Sequence, residues 1–240
     1  MVTMVSLKEQ FRIALLLLAA ASPALCQPSD KTVWKIGSFD ASSSEFRSQD
    51  IDYTDPKSDP VFVVGHSADK DWYRFQPGPA NGITGGRLHP FTVKFSLPDQ
   101  PSGVYHLRVG ILYETPRRSF LKLKVNGHTG FFYFHPKLDF HAGDWEGTFV
   151  PQTSIDQKTI SIPPSWLRKG ENEFVFTAMD DPATVQNSLG AIAPGHTGIV
   201  YDALELTHNP QEDYDRHAFS ALVDPTIFYR NTSAGSAEVV

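Results

Sequence analysis

The chain predicts an all-β fold, an antiparallel sandwich of the jelly-roll kind. Two observations carry that reading. Apolar and polar residues alternate with period two in three successive runs, Phe91–Leu97, Val104–Tyr113 and Leu121–Val125. Such alternation puts one set of side chains on a dry face and the other in water. No stretch shows the apolar spacing of a helix of three turns, and turn residues separate the runs. Three neighbouring runs of this type also suggest one antiparallel sheet with a single buried face.

In chain order, Lys8 and Arg12 precede the apolar run Ile13–Ala21, and Ala24 and Cys26 are small residues ahead of Gln27. That is the pattern of a secretory signal over residues 1–26. Cleavage there removes the lone cysteine, so the mature chain has no disulfide and relies on its core or a bound ion. We expect a secreted protein with no membrane segment after cleavage. A net charge of −6 with both signs interspersed argues against a nucleic-acid partner.

Trp34–Gly37 reads as a first strand. Ser38–Asp59 is a long loop rich in Ser and Asp, with room for one helical turn. Val61–Val64 is a short apolar strand, and Pro77–Gly86 is too dense in Gly and Pro for regular structure. Asn126-Gly127 marks a turn, because both residues tolerate positive φ. The aromatic run Phe131–Phe134 follows, then a loop from Lys137 to Thr148. Ile160 and Ile162 mark a further strand, Pro163–Leu167 a single helical turn, and Phe174–Phe176 another strand. Gly198–Leu206 is apolar on both faces except at Asp202 and Glu205, as suits a central strand. We expect a β-sandwich over 27–208, and over 209–240 a linker and the start of a further, incomplete domain.

Several stretches, taken in order, are similar to the third domain of rhamnogalacturonan lyases. They are Trp34-x-Ile36-Gly37-x-x-Asp40 with Glu45-Phe46, Val64-Gly65-x-Ser67, Lys70-Asp71-Trp72, Gly103-x-Tyr105-x-Leu107-Arg108-Val109, Val125-Asn126 and Gly198–Asp202. The resemblance spans Trp34 to Leu206. It implies a galactose-binding-like jelly roll that acts as a non-catalytic carbohydrate-binding module. In those lyases a catalytic sandwich and a small β domain come first; here the signal does. No catalytic residue is therefore carried over, and a downstream catalytic domain is expected to complete the protein. A fragment of a polysaccharide lyase or glycoside hydrolase, and a purely structural packing domain, are the competing readings.

Sugar recognition needs an aromatic face for the C–H side of a pyranose and polar groups for its hydroxyls. His141, Asp144 and Trp145 supply both on one loop. Trp72, within Asp71-Trp72-Tyr73-Arg74, is a second candidate, with a place in the core as its alternative. Arg117 at a turn suits the carboxylate of an acidic sugar. Jelly rolls of this type often hold a structural calcium, and Asp40 and Asp202 are the residues to test for it. The sequon Asn231-Thr232-Ser233 has meaning in a eukaryotic secretory pathway. No Gly-x-Ser-x-Gly elbow, zinc spacing or EF-hand is present.

Overall fold

A computed structural model describes residues 30–113, 119–134, 154–180, 198–214, 229–231 and 237–239. The strands are β1 (Lys31–Gly37), β2 (Val61–Val63), β3 (Phe75–Pro77), β4 (Pro90–Leu97), β5 (Val104–Tyr113) and β6 (Ser119–Val125). They continue with β7 (His128–Tyr133), β8 (Ser154–Ile162), β9 (Gly170–Asp180), β10 (Gly198–Asn209), β11 (Tyr229–Asn231) and β12 (Ala237–Val239). Among the described residues the helical segments are single 3-10 turns, two of them at Pro56–Ser58 and Pro164–Trp166. Both fall where turn residues in the sequence allow one helical turn.

Two sheets face each other. One runs β1-β10-β5-β8, with β3 also on β10; the other runs β2-β4-β9-β6-β7. Pairing is antiparallel except between β2 and β4, which run parallel. This corrects the single-sheet expectation. β4 and β6 share one sheet, where both flank β9, but β5 lies in the other. Alternation identifies a half-buried strand but not its partner, because both inner faces of a sandwich are equally apolar. The place of β10 matches its sequence: it is central, between β1 and β5.

Aromatic rings fill the space between the sheets. Trp34 of β1 meets Phe95 and Phe174 of the opposite sheet with ring centroids 5.9 and 6.0 Å apart. Trp72 lies between Phe91 and Tyr201 at 5.4 and 5.6 Å. Such tilted and edge-on contacts suit the ring quadrupole and add to the area buried. Around them Ile36, Leu107, Val109, Leu121, Phe176 and Leu204 are wholly shielded from water. A core of this size needs no disulfide.

Gln76 of β3 ties the layers with polar bonds. Its Nε2 donates to the carbonyls of His89 at 2.5 Å and Phe176 at 2.8 Å, and its Oε1 accepts the Tyr201 hydroxyl at 2.6 Å. At the C-terminal end β11 pairs with β12 as a small hairpin; the strand expected to begin at Val223 is described from Tyr229.

Candidate functional site

The loop that follows β1 builds one end of the sandwich. Gly37 closes the strand with φ +73°, where a Cβ would overlap the Phe46 ring and come within 2.9 Å of the Asp202 carbonyl oxygen. Glycine is therefore required there. The loop then folds on its own side chains. Ser42 N–H donates to Asp40 Oδ1 at 3.0 Å, and Ser38 N–H to Glu45 Oε1 at 2.9 Å. Arg47 pairs with Tyr73 in an isolated bridge, and Arg74 N–H donates to the Arg47 carbonyl at 3.0 Å. Tyr201 N–H in turn donates to the Arg74 carbonyl at 3.0 Å, so loop, Arg74 and central strand are fixed together.

An open pocket of about 430 Å³ lies against this loop, lined by Ala41, Ser42, Ser43, Ser44, Phe46, Ser48, Arg74 and Leu112. Phe46 and Leu112 are buried and give it an apolar floor. Arg74 Nε donates to Ser43 Oγ at 2.8 Å, which orients the guanidinium. Leu112 is the last of a row on the outer face of β5, after Arg108 and Gly110. Phe39 lies over Gly110, where a Cβ would stand 2.9 Å from its ring. The Arg108 guanidinium stacks on Phe39 at 3.7 Å, a cation–π contact. Apolar floor, hydroxyls and a guanidinium are what a sugar meets in a binding site.

Asp202 stands at the back of the loop. A register shift between Tyr201 and Ala203 leaves it without a partner opposite in β5, a bulge that re-aims its side chain. The residue is fully buried. Its Oδ1 accepts the Ala41 N–H at 2.9 Å, and its Oδ2 has no hydrogen-bond partner. Burial raises its pKa, the backbone N–H groups of residues 40–42 pull it back, and the Asp40 carboxylate adds to the rise.

The residues named from sequence are placed as follows. Trp72 is wholly buried, meets Phe91 and Tyr201 edge-on and offers no face to a ligand; the core alternative is correct. Arg117, His141, Asp144 and Trp145 lie outside the described residues. Asp40 and Asp202 are near one another and supply two carboxylates, where calcium takes about six to eight oxygen ligands. Each turns one oxygen to a backbone N–H of the loop. Among the described residues no three His, Cys, Asp or Glu side chains converge on a metal position. Sequence reasoning missed the serine pocket. The run Ser42-Ser43-Ser44 was its one local trace, since hydroxyl-rich loops are common and nothing local links them to Arg74.

The geometry defines an antiparallel sandwich with a polar pocket at its loop end. The family model "CBM-like: Polysaccharide lyase family 4, domain III" matches residues 32–206, and the chain belongs to that family. None of the curated proteins matches the sequence significantly. Among solved structures, similarity is found to a family GH115 4-O-methyl-α-glucuronidase with specificity for decorated arabinogalactans. Identity is 10%, the TM-score 0.34, and the match covers 75% of this chain and 18% of that one. The mosquito-larvicidal Cry4Aa toxin from Bacillus thuringiensis gives 13% identity and a TM-score of 0.29, over 56% of this chain and 21% of the toxin. A family 35 carbohydrate-binding module from an environmental isolate gives 11% identity and a TM-score of 0.30, over 77% of this chain and 91% of the module. The chain thus spans about a fifth of the first two proteins.

Proposed function

We propose that this protein is a secreted, non-catalytic carbohydrate-binding module that anchors a polysaccharide-degrading catalytic domain to a pectic or other complex glycan. The observation that carries the reading is the match of residues 32–206 to a domain whose family description is CBM-like. The pocket of Ser42, Ser44, Ser48, Arg74, Phe46 and Leu112 supports it, as an open surface with hydroxyl groups beside two apolar side chains. Binding is stacking plus hydroxyl hydrogen bonds, with modest affinity per site. His141, Asp144, Trp145 and Arg117 remain proposed contributors.

Retention on insoluble polysaccharide tests the reading. The purified chain is incubated with pectic, xylan and cellulose particles, and the bound fraction is measured. We expect retention on at least one glycan, weakened by Trp145→Ala. No retention on any of them would leave the module as a packing domain. Unsaturated uronate absorbance developing on pectic substrate would show a lyase instead.

A further inference from the structure

Asn-Gly occurs twice in the chain, at Asn81-Gly82 and Asn126-Gly127. Glycine has no side chain to shield its backbone nitrogen, so this dipeptide is the one most prone to attack on its own asparagine amide. The fold treats the two copies differently. Asn126 sits in the two-residue turn between β6 and β7 with φ +47°, and Gly127 follows with φ +107°. The Asn126 side-chain amide is fully committed. Its Nδ2 donates to the Trp166 carbonyl and to Asn172 Oδ1, both at 2.8 Å, and its Oδ1 accepts the Glu173 N–H at 2.9 Å. Asn172 is buried and equally fixed: its Nδ2 donates to the carbonyls of Arg168 and Gly170, and its Oδ1 also accepts the Arg168 N–H. Reversing either amide would set acceptor against acceptor. Asn81 is buried as well, but its Oδ1 has no hydrogen-bond partner.

We propose that Asn126-Gly127 is a latent modification site, shielded from deamidation in the folded chain and converted irreversibly once this corner opens. In the reaction the Gly127 nitrogen loses its proton and bonds to Asn126 Cγ, the Cγ–Nδ2 bond breaks, and the amide nitrogen leaves with that proton as ammonia. Water then opens the cyclic imide to aspartate or isoaspartate, and no other reactant is needed. Three hydrogen bonds keep Cγ from the approach this requires, so the reacting conformer is reached only by local opening. The product does not fit back. A carboxylate oxygen replaces Nδ2 against the Trp166 carbonyl and Asn172 Oδ1, which are both acceptors. Isoaspartate also lengthens the backbone of the turn that sets the register of β6 on β7.

The test incubates the full chain in mildly alkaline buffer, folded and in urea, and follows aspartate and isoaspartate at positions 126 and 81 by peptide mass spectrometry. In urea the two positions should convert at comparable rates. In the folded chain position 126 should slow by about tenfold or more, the factor that even a modest opening free energy sets, and position 81 should convert ahead of it. Asn172→Ala should restore part of the lost rate at position 126; where that variant does not fold, the wild-type comparison of folded and unfolded chain still decides. Asn126→Asp, the direct product, should melt at a lower temperature than the wild type or fail to fold. Equal rates at position 126 with and without urea overturn the shielding. Position 81 reacting no faster than position 126 in the folded chain also overturns it, since burial alone would then account for the protection. An unchanged melting midpoint in Asn126→Asp overturns the irreversibility.

Discussion

Asp202, in the bulge of β10, accepts the Ala41 N–H at 2.9 Å and so holds the loop that forms the pocket wall. Its second oxygen has no hydrogen-bond partner and faces Gly110 and the Phe39 ring. A carboxylate in that position supports the loop at an electrostatic cost.

The cost has a definite sign against pH. Burial raises the Asp202 pKa above its unfolded value near ~4, so between the two values the folded state holds more protons. Stability contributed by this group therefore falls as pH rises through that window and is recovered on acidification. Asp202→Asn keeps an acceptor for Ala41 and removes the titration. The difference in unfolding free energy, wild type minus variant, should decrease between pH 4 and 7 in denaturant titrations. A difference independent of pH would contradict the assignment.

Asp59 should behave in the opposite way. Its carboxylate takes both Arg87 Nη1 at 2.6 Å and Arg87 Nη2 at 3.0 Å, and lies 3.2 Å from His89 Nδ1. Burial pushes its pKa up, but the hydrogen bonds from His89 and Arg87 outweigh this and the pKa is lowered. The unfolded state then binds the proton more readily. The stability is fully present above the unfolded pKa and is lost as pH falls through the folded one, below ~4. Asp59→Asn at neutral pH should cost about 3 kcal/mol, because it removes the carboxylate that balances a partly buried guanidinium, whose other bonds are to the carbonyls of Tyr53, Leu88 and Asp55. A loss below ~0.5 kcal/mol in chemical denaturation would mean the cluster behaves as a surface ion pair.

Two substitutions separate core from site. Trp72→Ala removes the ring packed on Phe91 and Tyr201 and should cost about 3–5 kcal/mol. Gly37→Ala forces a Cβ into the Phe46 ring at a left-handed backbone position, which should destabilise by more than ~1 kcal/mol and disturb the pocket floor. Thermal melts read the first as a large drop in midpoint. Glycan retention normalised to folded protein reads the second as weakened binding; full retention would show that Phe46 does not shape the pocket.

The strands were legible in sequence because burial in a sandwich is local in character. Phe91, Val93, Phe95 and Leu97 sit inward as their spacing implies, and β10 is central as its double apolar face implies. Sheet membership was not legible. It depends on whether β5 meets β10 or β4, and nothing in the alternation distinguishes those partners. The pocket was hidden for the same reason. Arg74 and Ser43 are far apart in sequence, and they meet only because Arg47 pairs with Tyr73. Trp72 has the composition of a ligand residue, but the space between Phe91 and Tyr201 takes it.

The Tyr201–Gln76 bond, within one sheet, offers the sharpest energetic test of how Gln76 is held for its bond across the layers. Both residues are wholly buried, and the hydroxyl donates to Gln76 Oε1 at 2.6 Å. Gln76 Nε2 is committed to His89 and Phe176 on the far side. Tyr201→Phe thus strands one acceptor in a dry interior and should cost about 1–3 kcal/mol. Gln76→Met removes both the acceptor and the inter-sheet donor, and leaves the hydroxyl unpaired. Once Gln76 is gone, losing the hydroxyl costs little, because its partner no longer exists. A double-mutant cycle should therefore show a coupling of at least ~1 kcal/mol between the two sites. Strict additivity would mean that the hydroxyl finds another acceptor, and that the backbone pairing of β3 with β10, rather than this polar bridge, holds Gln76 in place.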